Sequence, residues 1–118
     1  MIIADTNVWV SFFKGEKKAL SLKEMIIENQ VILHPFIYGE LLLGGIAQKA
    51  EKLLHSLETT VTTEEQLVFH FITKNKIQSR GIGWVDINLL VSALSGKHQI
   101  FTFDTNLAAL CKEFRCDY

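Results

Sequence analysis

Short apolar runs alternate along the chain with longer runs whose apolar residues recur at helical spacing. The short runs have the character of β-strands and are residues 1–4, 31–33, 59–62 and 98–103. The longer runs predict helices and are residues 7–13, 19–28, 36–43, 46–57, 63–78, 84–94 and 107–114. Strands and helices that alternate in this way are typical of a parallel sheet with helices on both faces. We therefore predict an α/β fold, a three-layer α/β/α sandwich with a central parallel sheet of four to five strands, formed by residues 1–118 as a single domain.

Proline and glycine residues mark several of the expected helix ends. Pro35, the only proline, suits the first turn of a helix, and Gly44 with Gly45 should end that helix. Thr63 is followed by acidic residues, a pattern that predicts a capped helix start. Gly96 is expected to end the helix before the last strand.

The composition adds information on partners and on the cell compartment. Hydrophobic residues make up 48% of only 118 residues, which favours either a buried partner surface or a tightly packed monomer. Lysine and arginine total 12 against 13 acidic residues, so any contact with nucleic acid must be local. No apolar run approaches the roughly 20 residues of a bilayer span, and the N-terminus lacks the features of a secretory signal. We expect a cytoplasmic protein without a membrane segment, in which Cys111 and Cys116 are reduced, structural thiols.

Four carboxylates are candidates for one metal site. Asp5 and Asp104 each follow a strand, Glu40 lies on the helix after the second strand, and Asp86 lies near the start of a helix after a glycine loop. Ligands of an open parallel sheet bind beyond the carboxyl ends of its strands. Two carboxylates about 5 Å apart repel by roughly 3 kcal/mol at an effective dielectric of about 20, so four in one cleft need a cation. Carboxylate oxygens without a pattern of histidine or cysteine ligands favour Mg²⁺ or Mn²⁺, which activate water and stabilise charge on phosphate oxygens.

Helix capping is the simpler explanation for three of these acids taken singly. Asp5 and Asp104 can cap the helices that follow them, and Asp86 can stabilise a first helical turn. Glu40 has no such explanation, because its apolar neighbours predict a largely buried helix, in which an unpaired charge is costly. The four acids taken together therefore indicate one site.

The remaining polar and aromatic candidates have weaker support. The histidines share no ligand spacing and are expected to be core or surface residues: His34, His55, His70 and His98. Trp9 and Trp84 are expected to pack rather than to stack on bases. The segment G-I-G-W lacks the glycine pattern of a phosphate-binding loop.

Three residues are candidates for contacts with a nucleic-acid substrate. Thr6 and Asn7 follow the first acid directly, and Arg80 lies with other basic residues just before the glycine loop, where it could hold a phosphodiester backbone. Charged residues near a helix end are more often simply solvated.

The segments around the four acids resemble, in order, the motifs of the PIN-domain ribonuclease toxins of VapBC toxin–antitoxin modules. They are I-I-A-D-T-N-V-W with Asp5, H-P-F-I-Y-G-E-L with Glu40, G-I-G-W-V-D-I-N-L-L with Asp86 and F-T-F-D-T-N-L with Asp104. The resemblance implies a PIN-like fold and a Mg²⁺-dependent endoribonuclease that is inhibited by a VapB-type antitoxin, forms a homodimer and acts on structured RNA, often transfer RNA. Asp5 and Asp86 match the usual metal ligands, and Glu40 with Asp104 would complete the acidic set directly or through water. Relatives often carry a basic residue just before the fourth acid, where this chain has Phe103, so its phosphate contacts should differ.

Two other functions remain open from the residues themselves. A receiver-type phospho-acceptor domain also gathers acids at the ends of parallel strands, but it needs a lysine after the last strand, where this chain has Asp104. A non-catalytic binding domain could use the acids as helix caps or to dock a basic peptide.

Overall fold

Four short strands run parallel in the computed structural model, which describes residues 1–118. They are β1 (Ile2–Ala4), β2 (Ile32–Leu33), β3 (Glu58–Thr59) and β4 (Gln99–Phe101). β1 pairs with β4 and β2 pairs with β3, and a parallel bridge between Ile2 and Val31 joins the pairs in the order β3-β2-β1-β4. A further parallel bridge joins Ile100 to Asp117 beyond β4. The predicted parallel sheet of four to five strands is confirmed.

Seven α-helices connect and follow the strands. They are α1 (Thr6–Phe13), α2 (Ser21–Ile27), α3 (Pro35–Gly44), α4 (Gln48–His55), α5 (Glu65–Lys74), α6 (Trp84–Gly96) and α7 (Thr105–Glu113), with a 3₁₀ turn at Lys17–Ala19 before α2. The chain passes from β1 to β2 and β3 on one side and returns to β4 on the other side of β1. Right-handed crossovers therefore place the helices before β3 on one face and α5 with α6 on the other, which gives the predicted α/β/α layers.

The core lies around β1 and α6. Ile3 at the centre of β1 is fully buried, and seven consecutive residues of α6, positions 87–93, are buried as well. Such a helix is apolar on nearly every side, as expected for one enclosed between a sheet and other helices. Trp9 is fully buried against Phe12 and Phe13, as predicted, whereas Trp84 stays 43% exposed beside Phe69. None of the helices is both long and apolar enough to cross a bilayer.

The predicted boundaries of two elements in the middle of the chain, β3 and α5, are wrong. β3 covers Glu58–Thr59 rather than 59–62, and α5 begins at Glu65 without a side-chain cap from Thr63. The same helix ends at Lys74 rather than near 78, because Lys76 adopts a left-handed backbone conformation with φ of 54°. The other helices begin and end within about two residues of their predicted positions.

The glycines at two helix ends differ in their roles. Gly45, with φ of 82°, ends α3 directly after Gly44, as predicted for this pair. Gly96, in contrast, is still helical, and Lys97 takes the left-handed position after α6 with φ of 56°. A side chain on Gly96 would collide with the imidazole of His98, so this glycine permits close packing rather than the turn.

Candidate functional site

The carboxyl ends of β1 and β4 lie side by side where the strand order reverses. Ala4 pairs with Phe101, and the backbone N–H of Asp5 donates to the carbonyl of Phe101 at 2.8 Å. Asp5 follows β1 directly, and Asp104 lies at the start of α7 just beyond β4. A doubly wound sheet leaves a ligand-binding crevice at such a position.

All four predicted acids line a single cavity of about 580 Å³ at this edge: Asp5, Glu40, Asp86 and Asp104. One wall is the face of α1 that carries Asn7 and Ser11, continued by Lys14 directly after the helix. Asp86 enters from the first turn of α6. The structure therefore brings together carboxylates that lie up to 99 positions apart in the chain, from Asp5 to Asp104.

Asp5 is held by two hydrogen bonds. Its side chain is buried, with Oδ1 accepting from the backbone N–H of Thr6 at 2.8 Å and Oδ2 accepting from the hydroxyl of Thr102 at 2.7 Å. The Thr102 hydroxyl in turn accepts the backbone N–H of Asp104 at 3.0 Å. Thr102 thus links the carboxylate of the first acid to the backbone of the fourth.

Glu40 enters the cavity from α3 and is fixed by Thr6, whose hydroxyl donates to Glu40 Oε1 at 2.6 Å. The expectation that α3 is largely buried around Glu40 is wrong, because Leu42 and Leu43 are 47% and 90% exposed. Glu40 is half-buried and faces the cavity rather than an apolar core. The hydroxyl of Thr6, a candidate for substrate contact, is already engaged by this carboxylate.

The other two candidates for substrate contact differ in position. Asn7 lines the cavity, and its Oδ1 accepts the backbone N–H of Phe103 at 3.2 Å, so it supports the turn before α7. Arg80 does not reach the cavity. Its guanidinium forms two hydrogen bonds with Glu113, of 3.2 and 2.7 Å, because α7 presents that carboxylate beside the glycine loop.

Comparison with known proteins agrees with this geometry. The PIN domain family model matches residues 2–113, a span that contains all four acids. Ribonuclease VapC32 of Mycobacterium tuberculosis, from strains CDC 1551 and H37Rv, is 32% identical over 117 residues, which cover 96% of this chain and 92% of the relative. The chain belongs to the VapC family of PIN domains. The resemblance drawn from the four motifs is therefore confirmed.

A solved structure supports the fold of this VapC-family protein. PAE2754 from Pyrobaculum aerophilum superposes with a TM-score of 0.62 over 92% of this chain and 77% of that chain, at 16% identity. At that identity the likeness concerns the fold alone.

The acids of this VapC-family protein lie in an environment that opposes their negative charge. Burial, followed by the charges of Asp5 and Asp104, raises the pKa of Asp86 to about 6. Burial also raises the pKa of Asp5, although the hydrogen bonds from Thr102 and Thr6 act in the other direction. The ion pairs of the chain are His55–Glu51 and Arg80–Glu113, so no side-chain cation forms an ion pair with the cavity acids.

The donor set suits a hard divalent cation. Carboxylate oxygens are the ligands that Mg²⁺ and Mn²⁺ prefer, and no histidine or cysteine lines the cavity. No three of these side chains close around a common point in this conformation, and Mg²⁺ in proteins commonly uses only one or two carboxylates and keeps several waters. Ser11 adds a buried hydroxyl on the cavity wall without a hydrogen-bond partner in the protein, a group that such waters would satisfy. The residues therefore fit the expected metal.

Sequence reasoning missed several residues of this site. Thr102, Ser11, Lys14 and Lys18 were not among the candidates, although the last three line the cavity. The helical spacing of Asn7, Ser11 and Lys14, along α1 and the residue that follows it, is a local signal that could have found two of them. Thr102 and Lys18 depend on contacts between distant segments and leave no such signal.

Proposed function

We propose that this VapC-family protein is a divalent-metal-dependent endoribonuclease, the toxin of a toxin–antitoxin module, and that it cleaves structured RNA, with transfer RNA as the first candidate. The observation that carries the proposal is the convergence of the four predicted carboxylates on one cavity, in which none of them forms an ion pair with a side-chain cation. The activity named for the Mycobacterium relative, a ribonuclease, supports the choice of RNA.

Asp5 and Asp86 are the proposed principal ligands of Mg²⁺, with Mn²⁺ as an alternative, and Glu40 and Asp104 complete the set directly or through water. When bound, the metal supplies a water of lowered pKa and stabilises the charge that develops on the phosphate. Thr102 orients Asp5, and Thr6 orients Glu40, which keeps both carboxylates facing the cavity. Glu40 or Asp104 accepts the proton of the attacking water, and in-line displacement leaves a 3′-hydroxyl and a 5′-phosphate.

A VapB-type antitoxin is the proposed protein partner. An apolar groove of about 830 Å³ between α1, α3 and α4 adjoins the acid cavity and shares Thr6, Val10, Lys14 and Glu40 with it. An antitoxin tail with apolar side chains in the groove and a basic side chain at Glu40 would match both surfaces and block the metal site. Exposed apolar side chains such as Leu43 and Val61, 90% and 87% exposed, support the proposal of a homodimer. We propose the cytoplasm as the location of this function, because the proposed RNA substrate and antitoxin would meet the protein there.

The groove also supports a second candidate function, a non-catalytic module that binds an apolar peptide with a basic residue. The two functions differ in one observable, because only the nuclease consumes RNA. A small upstream gene that encodes a DNA-binding fold with an apolar tail would favour the toxin.

Purified protein incubated with total transfer RNA and Mg²⁺ should cleave it, and EDTA should stop the cleavage. The variant Asp5→Asn should lower the rate by at least about 100-fold, because a metal that has lost a principal ligand no longer supplies several kcal/mol of transition-state stabilisation. Asp117→Asn is the matched control, since Asp117 is exposed and outside the cavity. Gel electrophoresis follows the cleavage, and a 5′-phosphate-dependent exonuclease identifies the new ends.

Cleavage that survives EDTA, or equal rates for the wild type and Asp5→Asn, would contradict the metal site. Intact transfer RNA beside cleavage of another RNA would contradict only the proposed substrate.

A further inference from the structure

The ammonium group of Lys18 occupies a defined position at the edge of the acid cavity. Lys18 lines the cavity, and its Nζ lies 4.7 Å from the centroid of the Phe103 ring, which directly precedes Asp104. The ring itself is fixed, because it packs edge-on against Phe101 with centroids 5.4 Å apart, and the Phe103 backbone N–H is bonded to Asn7. A cation over an aromatic face is attracted by the negative charge of that face.

The charge of Lys18 stays available despite this contact. Lys18 forms no ion pair, although five carboxylates line the same cavity, the four predicted acids and Glu16. An aromatic ring holds a cation without neutralising it, which a carboxylate would do. The cavity thus contains two separate features, unneutralised acids that suit a metal ion and an unpaired ammonium that suits an anion.

We propose that Lys18, held by Phe103, binds an RNA phosphate adjacent to the one that is cleaved. This inference rests on the proposed ribonuclease function. The metal would offset the charge of the scissile phosphate, but the acids around it repel the neighbouring phosphates of the strand. A fixed cation beside Asp104 reduces that repulsion and sets the position of the strand relative to the acids. Lys18 is therefore a positioning residue for the substrate, and Phe103 positions Lys18.

The test compares single-residue variants on an RNA oligonucleotide that contains the site the wild type cleaves in transfer RNA. Lys18→Met keeps an apolar chain, whose sulfur also packs well on an aromatic ring, and removes the charge. Lys18→Arg keeps the charge and the stacking. Lys17→Met is the matched control, because Lys17 lies in the same 3₁₀ turn, is exposed and does not line the cavity. Phe103→Leu keeps an apolar side chain without the aromatic face.

Lys18→Met should raise KM about tenfold with kcat changed by less than about twofold, since the phosphate contact is equally strong in the ground and transition states. The slope of log affinity against log salt should fall by about 1. Lys18→Arg should restore KM to within about twofold, and Phe103→Leu should raise KM about threefold. Lys17→Met should remain within about twofold of the wild type in both constants.

Equal effects of Lys17→Met and Lys18→Met would overturn the inference, because net charge alone would then explain both. A loss of kcat at unchanged KM, or no effect of Lys18→Met in a wild type that cleaves normally, would also overturn it while leaving the ribonuclease function intact. A wild type that cleaves no RNA would overturn the proposed function, and the role of Lys18 with it.

Discussion

The variant Asp86→Asn should be more stable than the wild type in the absence of metal, by about 1–2 kcal/mol at about pH 8, and should cleave RNA at least about 100-fold more slowly. Asp86 is half-buried in the first turn of α6, and its pKa is raised to about 6 by burial and then by the charges of Asp5 and Asp104. Asparagine has nearly the same shape without the charge. The same substitution therefore relieves repulsion in the metal-free protein and removes a proposed metal ligand.

The stability gain of Asp86→Asn should grow as the pH rises. The pKa of Asp86 is about 6 in the folded protein and would be about 3.9 in an unfolded chain, so ionisation opposes folding as the pH rises through this window. The difference in pKa corresponds to about 3 kcal/mol at most, and partial solvent screening reduces it to the value given above. The gain should be complete above about pH 7 and absent below about pH 4, where Asp86 is protonated in both states.

Urea unfolding in EDTA at several pH values measures the gain, and the transfer RNA assay measures the loss of cleavage. Asp117→Asn, which changes an exposed carboxylate outside the cavity, should alter neither quantity appreciably. Adding Mg²⁺ should stabilise the wild type more than Asp86→Asn, because only a form that binds the ion gains by mass action. A destabilised Asp86→Asn protein, or a stability gain of the same size at all pH values, would contradict the claim that burial and the neighbouring carboxylates oppose the ionisation of Asp86.

Acidification from about pH 7 to about pH 4 should destabilise the protein by up to about 3 kcal/mol through His34 alone. His34 is 1% exposed. Its Nδ1 accepts the backbone N–H of Phe36 at 3.0 Å, so the proton of the neutral ring lies on Nε2, which is 3.1 Å from the Ser92 hydroxyl. Protonation of Nδ1 would place its new N–H opposite the backbone N–H of Phe36, and two buried donors that face each other are unfavourable. Burial accordingly lowers the pKa of His34 to about 4.

Acid should destabilise the protein because His34 binds a proton less readily in the folded protein than in the unfolded chain. An unfolded histidine has a pKa of about 6.5, so between about pH 6.5 and pH 4 the unfolded chain binds more protons than the folded one. The free energy of unfolding therefore falls as the pH falls through this window and is fully retained above it. Asp86 acts in the opposite direction over part of the same range, because its protonation relieves repulsion.

A comparison with His34→Asn separates these two effects. Asparagine is a good helix N-cap and does not titrate, so it can keep the bond to Phe36 while removing the pH dependence. Between about pH 7 and pH 4 the wild type should lose up to about 3 kcal/mol more than His34→Asn in urea unfolding. Parallel profiles for the two proteins would contradict a buried neutral histidine. The hydrogen bonds of His34 also support the site. His34 caps α3, which carries Glu40, and contacts Ser92 of α6, the helix that carries Asp86.

The layers of the fold and the position of the acids follow from local patterns. An apolar run that ends in Asp5, and another that is followed by Asp104, place both acids at carboxyl ends of parallel strands, and that edge is common to all strands of the sheet. Helical spacing located α3 and α6 and hence Glu40 and Asp86. These inferences succeed because they depend on periodicity and on the direction of the chain.

The contacts that arrange the site join segments that are distant in the chain, so local sequence patterns could not predict them. Arg80 was a candidate for holding a phosphodiester backbone, but its guanidinium is bonded to Glu113. Glu113 lies 33 positions later in the chain, so no local pattern indicated this pair. Leu42 and Leu43 looked like core residues, but α3 turns them outward, so the expected burial of Glu40 was wrong. The approach of Lys18 to Phe103 joins segments with no common pattern.

Calorimetric titration of Mn²⁺ into the metal-free protein tests the central claim most directly, because it measures the cation site without requiring a substrate. The wild type should bind Mn²⁺, Mg²⁺ should compete for the same site, and the double variant Asp5→Asn, Asp86→Asn should lose the binding. A wild type that binds no divalent cation, or a double variant that binds it as tightly as the wild type, would contradict the assignment of the four carboxylates to a metal site.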